Sequence, residues 1–266
     1  MLMKDGVVGT GLQWGCSGCF DSAKNTYYKP ASQQGDLNHA VAIVGWDDSK
    51  VTQSPNRGAW KIKNSWGAKW GEQGFFWISY DDKFVGHDPE MGAVSFNHVE
   101  PMRYDNIYFH DYHGWNGTKA DSSEAFNAFV AKGSEKLTAV SFFTAADDVT
   151  YTATIYRNFV NGQLVDPVST QTGVIGDSGF HTIDLNRPVR LSAGDSFYIY
   201  LNLSQGGQPL DHTSEVNVVT GTRAYHSLVV STTKSGMSYY RSGGAWEDLT
   251  TYDPSASFCI KGLTVN

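Results

Sequence analysis

The sequence predicts a mainly β chain in two parts, the second an antiparallel β-sandwich. Three observations carry that reading. Glycine is abundant (28 residues), and so are aromatics, with 14 Phe, 14 Tyr and 8 Trp; that mixture suits strands joined by tight turns. Before residue 100 no stretch carries the apolar repeat of a long helix. From Tyr104 onward short runs recur between turn clusters, at the spacing of a sandwich. The boundary falls near residues 97–104, giving parts 1–100 and 104–266.

Taken in order, Leu2 and Met3 favour helix, and Gly6 suits the left-handed position that ends one. A lone helical turn is unstable, so the chain is expected to start inside a longer protein. Residues 7–12 read as a strand and 13–37 as a loop. Residues 38–45 are nearly all apolar, the pattern of a strand buried on both faces. Residues 59–63 alternate as a half-buried strand. Residues 64–74 are turn-rich, with Gly67, Gly71 and Gly74, and 75–80 form an aromatic strand. A short strand at 93–96 closes the first part. In the second, strands are expected over 106–111, 124–131, 136–144, 150–157, 179–184, 196–203, 224–231, 238–241 and 257–263.

Composition excludes some partners. The net charge of −7 disfavours nucleic acid and anionic membrane, which need basic patches. No stretch approaches the ~20 apolar residues of a membrane-spanning helix, so no membrane insertion is expected. Met1-Leu2-Met3-Lys4-Asp5 does not start a signal peptide. Three cysteines are too few, and odd in number, for a disulfide scaffold. No cofactor or metal is expected. His110 and His113 lack a third ligand, and Asp147-Asp148 reads as a hairpin turn rather than a calcium site.

Chemistry is concentrated in the first part. His39 sits in an apolar strand, where a core role is the ordinary reading. Asn64 heads the turn after the next strand. If the strands are neighbours, its amide oxygen accepts the imidazole N–H and fixes the ring's tautomer, as the third member of a nucleophilic triad does. Trp66 either shields that bond from water or is a core aromatic.

Three segments then act together. They are Asn38-His39-Ala40-Val41 with Val44-Gly45-Trp46; Trp60 to Asn64-Ser65-Trp66-Gly67; and Trp70-Gly71-Glu72-x-Gly74-Phe75-Phe76. Their order and residue types resemble the second half of papain-family cysteine peptidases, over residues 1–96. The resemblance implies a partial β-barrel half-domain. It makes His39 the catalytic histidine, Asn64 its orienting asparagine and Trp66 the shielding tryptophan. It implies cysteine endopeptidase chemistry on a polypeptide substrate. It also implies a helical half-domain carrying the nucleophile, which is expected to be missing here, so that this chain alone is inactive. In the family the nucleophile lies roughly 130–150 residues before the histidine.

Gln13-Trp14-Gly15-Cys16-Ser17-Gly18-Cys19-Phe20 echoes the family's nucleophile motif in spacing. A papain-type thiolate needs the N-terminus of a long helix. Ser22, Asn25, Thr26, Tyr27 and Tyr28, followed by Pro30, do not build one. Cys19 is therefore a weak candidate nucleophile, Cys16 and Cys19 a weak redox or metal pair, and loop thiols the reading preferred.

The second part, through Tyr104-Asp105-Asn106, residues 137–142, residues 193–198 and residues 258–261, is similar to the lectin-like β-sandwich that follows the protease in bacterial and archaeal secreted papain-like peptidases. That similarity implies an extracellular or cell-surface location and a glycan or cell-surface ligand. Trp115 and Trp246 are the candidate glycan contacts, because aromatic rings stack on sugars. A binding module carrying a peptidase remnant is the alternative to a peptidase fragment.

Overall fold

The computed structural model describes residues 2–87, 92–220 and 223–266. The chain divides into two compact units, Met1–Pro101 with Glu215–Ser227, and Met102–Ser214 with Leu228–Asn266. Apart from the short helix α1 (Leu2–Asp5) and a 3-10 turn at Leu249–Thr251, the regular elements described are strands. None of the described helices is long and apolar enough to cross a membrane.

The first unit holds β1 (Val8–Leu12), β2 (Phe20–Asp21), β3 (Thr26–Tyr27), β4 (His39–Asp47), β5 (Ala59–Lys63), β6 (Phe75–Ser79) and β7 (Ala93–Val94). They form one sheet in the order β2-β3-β6-β5-β4-β1-β7. The pairings are antiparallel except β3 with β6. Gly6 has φ +84° and its N–H bonds Leu2 O at 3.0 Å, ending α1 as the sequence suggested. The loop expected at 13–37 contributes two short strands to the sheet instead.

Strand β4 differs from expectation. Val41 and Ile43 are buried, but Ala40 and Trp46 are exposed and Ala42 and Val44 half-exposed. Within this unit the sheet packs mainly on one face, so an apolar run need not mean a strand covered on both sides. The core under that face gathers Val8, Leu12, Tyr27, Val41, Ile43, Ile62, Phe76 and Ile78.

The second unit follows the grammar of short alternating strands. In order they are β8 (Asn106–Tyr108), β9 (Gly117–Lys119), β10 (Glu124–Val130), β11 (Glu135–Thr144), β12 (Val149–Val160), β13 (Gln163–Ile175), β14 (Gly179–Leu191), β15 (Ser196–Leu203) and β16 (Gln208–Asp211). The two-stranded sheet of β17 (Ser214–Thr220) and β18 (Arg223–Val229) falls mostly in the first unit, and the second continues with β19 (Ser238–Ser242), β20 (Ala245–Asp248), β21 (Ser257–Phe258) and β22 (Ile260–Val265). A six-stranded sheet, β13-β12-β15-β10-β19-β20, and a four-stranded sheet, β14-β11-β22-β8, supply the sandwich, with β21-β16-β9 as a third sheet.

Strand β15 shows how sequence makes the core. Phe197, Ile199, Leu201 and Leu203 are buried, while Tyr198, Tyr200 and Asn202 face the other way. The buried set joins Leu137, Val140, Phe142 and Ile260 in one cluster. The sheets approach so closely at Gly262 that a Cβ there would lie 2.9 Å from Ile199 Cδ1 and 3.0 Å from Leu137 Cδ1.

One buried carboxylate ties β8, β11 and β22. Glu135, 4% exposed, accepts hydrogen bonds from Asn106 Nδ2 (3.1 Å) and from the Tyr108 and Thr264 hydroxyls. Burial pushes its carboxyl up, but these bonds outweigh burial and hold it below the ordinary glutamate range. A folded pKa below the unfolded one stabilises the fold above the unfolded value, about 4.3. That contribution is lost as pH falls through the folded value. Urea unfolding is therefore expected to show stability falling in acid for the wild type and a shallower fall for Glu135→Gln. Identical pH profiles would count against the network.

Candidate active site

The site is built by strand register. In the β4–β5 pair Ala42 stands opposite Lys63, and Ile43 opposite Ile62. The ladder ends there, and Asn64, the next residue after β5, turns off with its N–H on Gly74 O at 2.9 Å, which leaves its side chain within reach of His39 at the start of β4. His39 Nε2 is 2.9 Å from Asn64 Oδ1. The same oxygen accepts the Ser65 N–H at 2.8 Å, which fixes the orientation of the amide. An amide oxygen only accepts, so Nε2 carries the proton and Nδ1 keeps a free lone pair. Asn64 is 7% exposed, and its Nδ2 is buried without a hydrogen-bond partner. Such an orphan donor costs roughly 1–3 kcal/mol.

The turn after Asn64 places the shield. Gly67 has φ +86° and Gly71 has φ +59°, and a Cβ at Gly71 would meet Phe75 O at 2.4 Å. The chain reverses, and the Trp66 ring stacks on His39 with centroids 4.8 Å apart and planes at 17°. Trp66 remains 42% exposed. Its edge contacts are Trp14 (4.8 Å, 81°) and Trp70 (4.9 Å, 90°), pairs worth about 0.5–1.5 kcal/mol each.

Trp14 had no role in the sequence reading beyond the cysteine motif. Its main chain is held at both ends by the Asn38 side chain, with Trp14 N–H donating to Oδ1 at 2.6 Å and Nδ2 donating to Trp14 O at 2.9 Å. Asn38 is the residue before His39, so one dipeptide fixes both the imidazole and the aromatic wall behind its shield. No local periodicity signals a contact across 24 residues.

Cys16 and Cys19 form a disulfide, with Cα atoms 5.5 Å apart. This replaces the expected loop thiols. Cys19 is 2% exposed and packs in the core of the first unit. A disulfide sulfur offers no thiolate for attack. Cys259 is free, but it is 1% exposed, and burial followed by the nearby Asp111 carboxylate pushes its thiol up.

The remaining candidates lie in the second unit. Trp115 is 40% exposed and donates its indole N–H to Thr118 Oγ1 at 2.9 Å. Trp246 is half-buried, edge-on to Phe126 at 4.8 Å and with Arg241 over its ring at 5.1 Å. The two tryptophans do not share a cluster: each has its own ring neighbours, Phe143 for Trp115 and Phe126 and Tyr200 for Trp246. His110 donates Nε2–H to Ala128 O at 2.9 Å and stacks on Phe129, and the His113 N–H donates to Asp211. Asp147 accepts the Ser178 N–H at 2.8 Å, beside Asp148 at φ +54°, in the turn between β11 and β12.

Two measurements check this geometry. In proton NMR the His39 Nε2–H is expected to exchange slowly in the wild type, to disappear in Asn64→Ala and to broaden in Trp66→Ala; an unchanged signal in both would contradict a shielded bond. Thiol titration of the unfolded chain is expected to find one thiol without reductant and three after reduction; three without reductant would contradict the disulfide.

Comparison with known proteins places both units. Residues 3–93 match the papain family cysteine protease model, and residues 107–264 match the lectin-like domain model. Among curated proteins, cathepsin C of Schistosoma mansoni is 54% identical over 41 residues, 15% of this chain and 8% of that protein. Procathepsin L of Felis catus is 38% identical over 55 residues, 21% of this chain and 16% of that protein. The crystal structure of the cysteine protease and lectin-like domains of Cwp84, a surface layer associated protein of Clostridium difficile, aligns over 100% of this chain and 59% of its own. It does so with a TM-score of 0.77 and 25% identity. The chain thus spans a small part of the curated relatives and about three-fifths of the Cwp84 structure. With a match covering more than half its length, the chain belongs to the lectin-like domain family, and ahead of that domain it carries a papain-family cysteine protease segment.

Proposed function

We propose that this chain supplies the histidine–asparagine half of a papain-type cysteine endopeptidase, with the nucleophile on a helical half-domain that this sequence does not contain. The observation that carries the reading is the 2.9 Å bond from His39 Nε2 to Asn64 Oδ1 beneath the Trp66 ring. In the assembled site His39 Nδ1 takes the proton of the incoming thiol. The thiolate adds to the peptide carbonyl, and His39 returns the proton to the leaving amine. Water then hydrolyses the thioester by the same route. Asn64 acts through His39 by holding the tautomer in which Nδ1 is the base. The unpartnered Asn64 Nδ2 supports this role, because a side chain serving stability alone would not leave a buried donor unmet.

In this reading residues 1–100 are the peptidase part and 104–266 a lectin-like domain that holds it near a glycan or cell-surface ligand. The surface-layer association of Cwp84 supports an extracellular or cell-surface setting. The alternative is a non-catalytic binding module carrying a peptidase remnant. The disulfide at Cys16–Cys19 and the burial of Cys259 favour it for the chain in isolation.

A thiol-directed epoxide separates the readings. The isolated chain is expected to show no His39-dependent adduct on Cys16, Cys19 or Cys259. Mixed with a separately produced helical half, it is expected to drive labelling of that half's cysteine. His39→Ala should slow that labelling by about 10²–10⁴-fold, and Asn64→Ala by less. Fast, His39-dependent labelling of Cys19 would overturn the proposal.

A further inference from the structure

Beside the third sheet of the second unit lies an open cleft of about 620 Å³, lined by Gly117, Thr118, Leu210, His212, Tyr252, Asp253 and Pro254. Its size is ordinary for a small-molecule site. At its centre His212 Nδ1 stands 3.0 Å from Asp253 Oδ2. A carboxylate oxygen accepts, so Nδ1 donates, and in the neutral ring Nε2 then carries the lone pair. Both groups are held from behind. The Asn116 side chain donates to His212 O at 2.8 Å and accepts the His212 N–H at 2.9 Å. Asp253 Oδ1 accepts the N–H and the hydroxyl of Ser255, each at 2.8 Å. Burial raises the Asp253 carboxyl, but the Ser255 and His212 bonds outweigh it and keep the group ionised.

The apolar wall and the floor complete the cleft. Tyr252 is 55% exposed although the Lys119 ammonium sits 4.5 Å from its ring centroid. Lys119 is itself engaged by Asp121 at 2.7 Å. A Cβ at Gly117 would lie 2.8 Å from Leu210 Cδ1 and 3.0 Å from His212 Nε2, so only glycine leaves this floor open. The Thr118 oxygen accepts from Trp115, which leaves its hydroxyl proton to donate. The cleft therefore offers an exposed ring beside a donor, an acceptor nitrogen and a carboxylate, all fixed before any ligand arrives.

That set selects a neutral, polyhydroxylated ring. Anions meet the Asp253 carboxylate; among the described lining residues none is cationic, and the Lys119 ammonium at the Tyr252 ring is already paired with Asp121. A purely apolar ligand would leave His212 and Asp253 unmet. We propose that this cleft binds a neutral pyranose sugar, with its apolar face on Tyr252 and its hydroxyls bonded to His212, Asp253 and Thr118. The proposal rests on reading the sandwich as a binding module. It also revises the sugar contacts expected from sequence, because Trp115 stands beside this cleft through Thr118, whereas Trp246 does not line it.

The test uses the full chain and a panel of methyl glucoside, galactoside, mannoside and N-acetylglucosaminide, with glucuronate and glucosamine as charged controls, read by saturation-transfer NMR and calorimetry. At least one neutral pyranoside is expected to bind better than either control. Tyr252→Ala and Asp253→Asn should each weaken it by about tenfold or more, and Tyr252→Phe should retain most binding. Thermal unfolding of each variant confirms the fold, and the exposed Tyr252 leaves a usable variant if Asp253→Asn does not fold. Sugar binding unchanged in Tyr252→Ala would overturn the cleft while keeping the binding-module reading. Absence of binding to every neutral pyranoside would overturn the proposal and, with it, the glycan form of the binding-module reading.

Discussion

The bond between His39 and Asn64 is the constraint to which the first unit is built. It requires β4 and β5 to pair in one register, since a slip by one residue would carry Asn64 away from His39. It requires the chain to reverse within three residues, which Gly67 permits at φ +86°. It also requires a dry environment, because water competing for the amide oxygen would weaken the orientation that the bond imposes. Trp66 supplies the cover on one side, and Trp14 and Trp70 brace Trp66 edge-on. The unit accepts a buried, unpartnered amide nitrogen to keep this arrangement. In stability terms that is a loss of a kilocalorie or more, and it is tolerable because the surrounding aromatic pairs contribute amounts of the same order.

Much of this was legible in the sequence. The regularly spaced short runs such as 196–203, with turn clusters between them, suggested an antiparallel sandwich. His39, Asn64 and Trp66 were singled out by the resemblance of their three segments to papain-family peptidases; the residues alone left a core role as the ordinary reading of His39 and did not decide between shield and core for Trp66. Strand β13 and the second half of β14, of which only 179–184 was expected, were not legible. Strands β13 and β14 contain Pro167 and Pro188, which demote a segment when no neighbours are known. Both strands stand at sheet edges, where a missing N–H breaks no ladder. The disulfide was illegible for a different reason. A Cys-x-x-Cys spacing is shared by metal sites, redox pairs and closed bridges, and burial decides among them. Contacts between distant residues with no motif, such as Asn38 with Trp14 or His212 with Asp253, leave no periodic trace.

The two candidate sites solve one problem with different acceptors. In each, an imidazole N–H is fixed by an oxygen that is itself held by its neighbours: Asn64 by the Ser65 N–H, Asp253 by Ser255. The amide orients His39 without adding charge, so among the described residues the ring is aimed by a neutral partner. The carboxylate orients His212 and brings a negative charge to the cleft. An imidazole aimed by a neutral partner suits a group that must gain and lose a proton in each turnover. An imidazole locked to a carboxylate beside an exposed ring suits a fixed surface for hydroxyl groups. The covers differ in the same sense. Trp66 lies flat on His39 and closes one side of it, whereas Gly117 keeps the space beside His212 Nε2 clear.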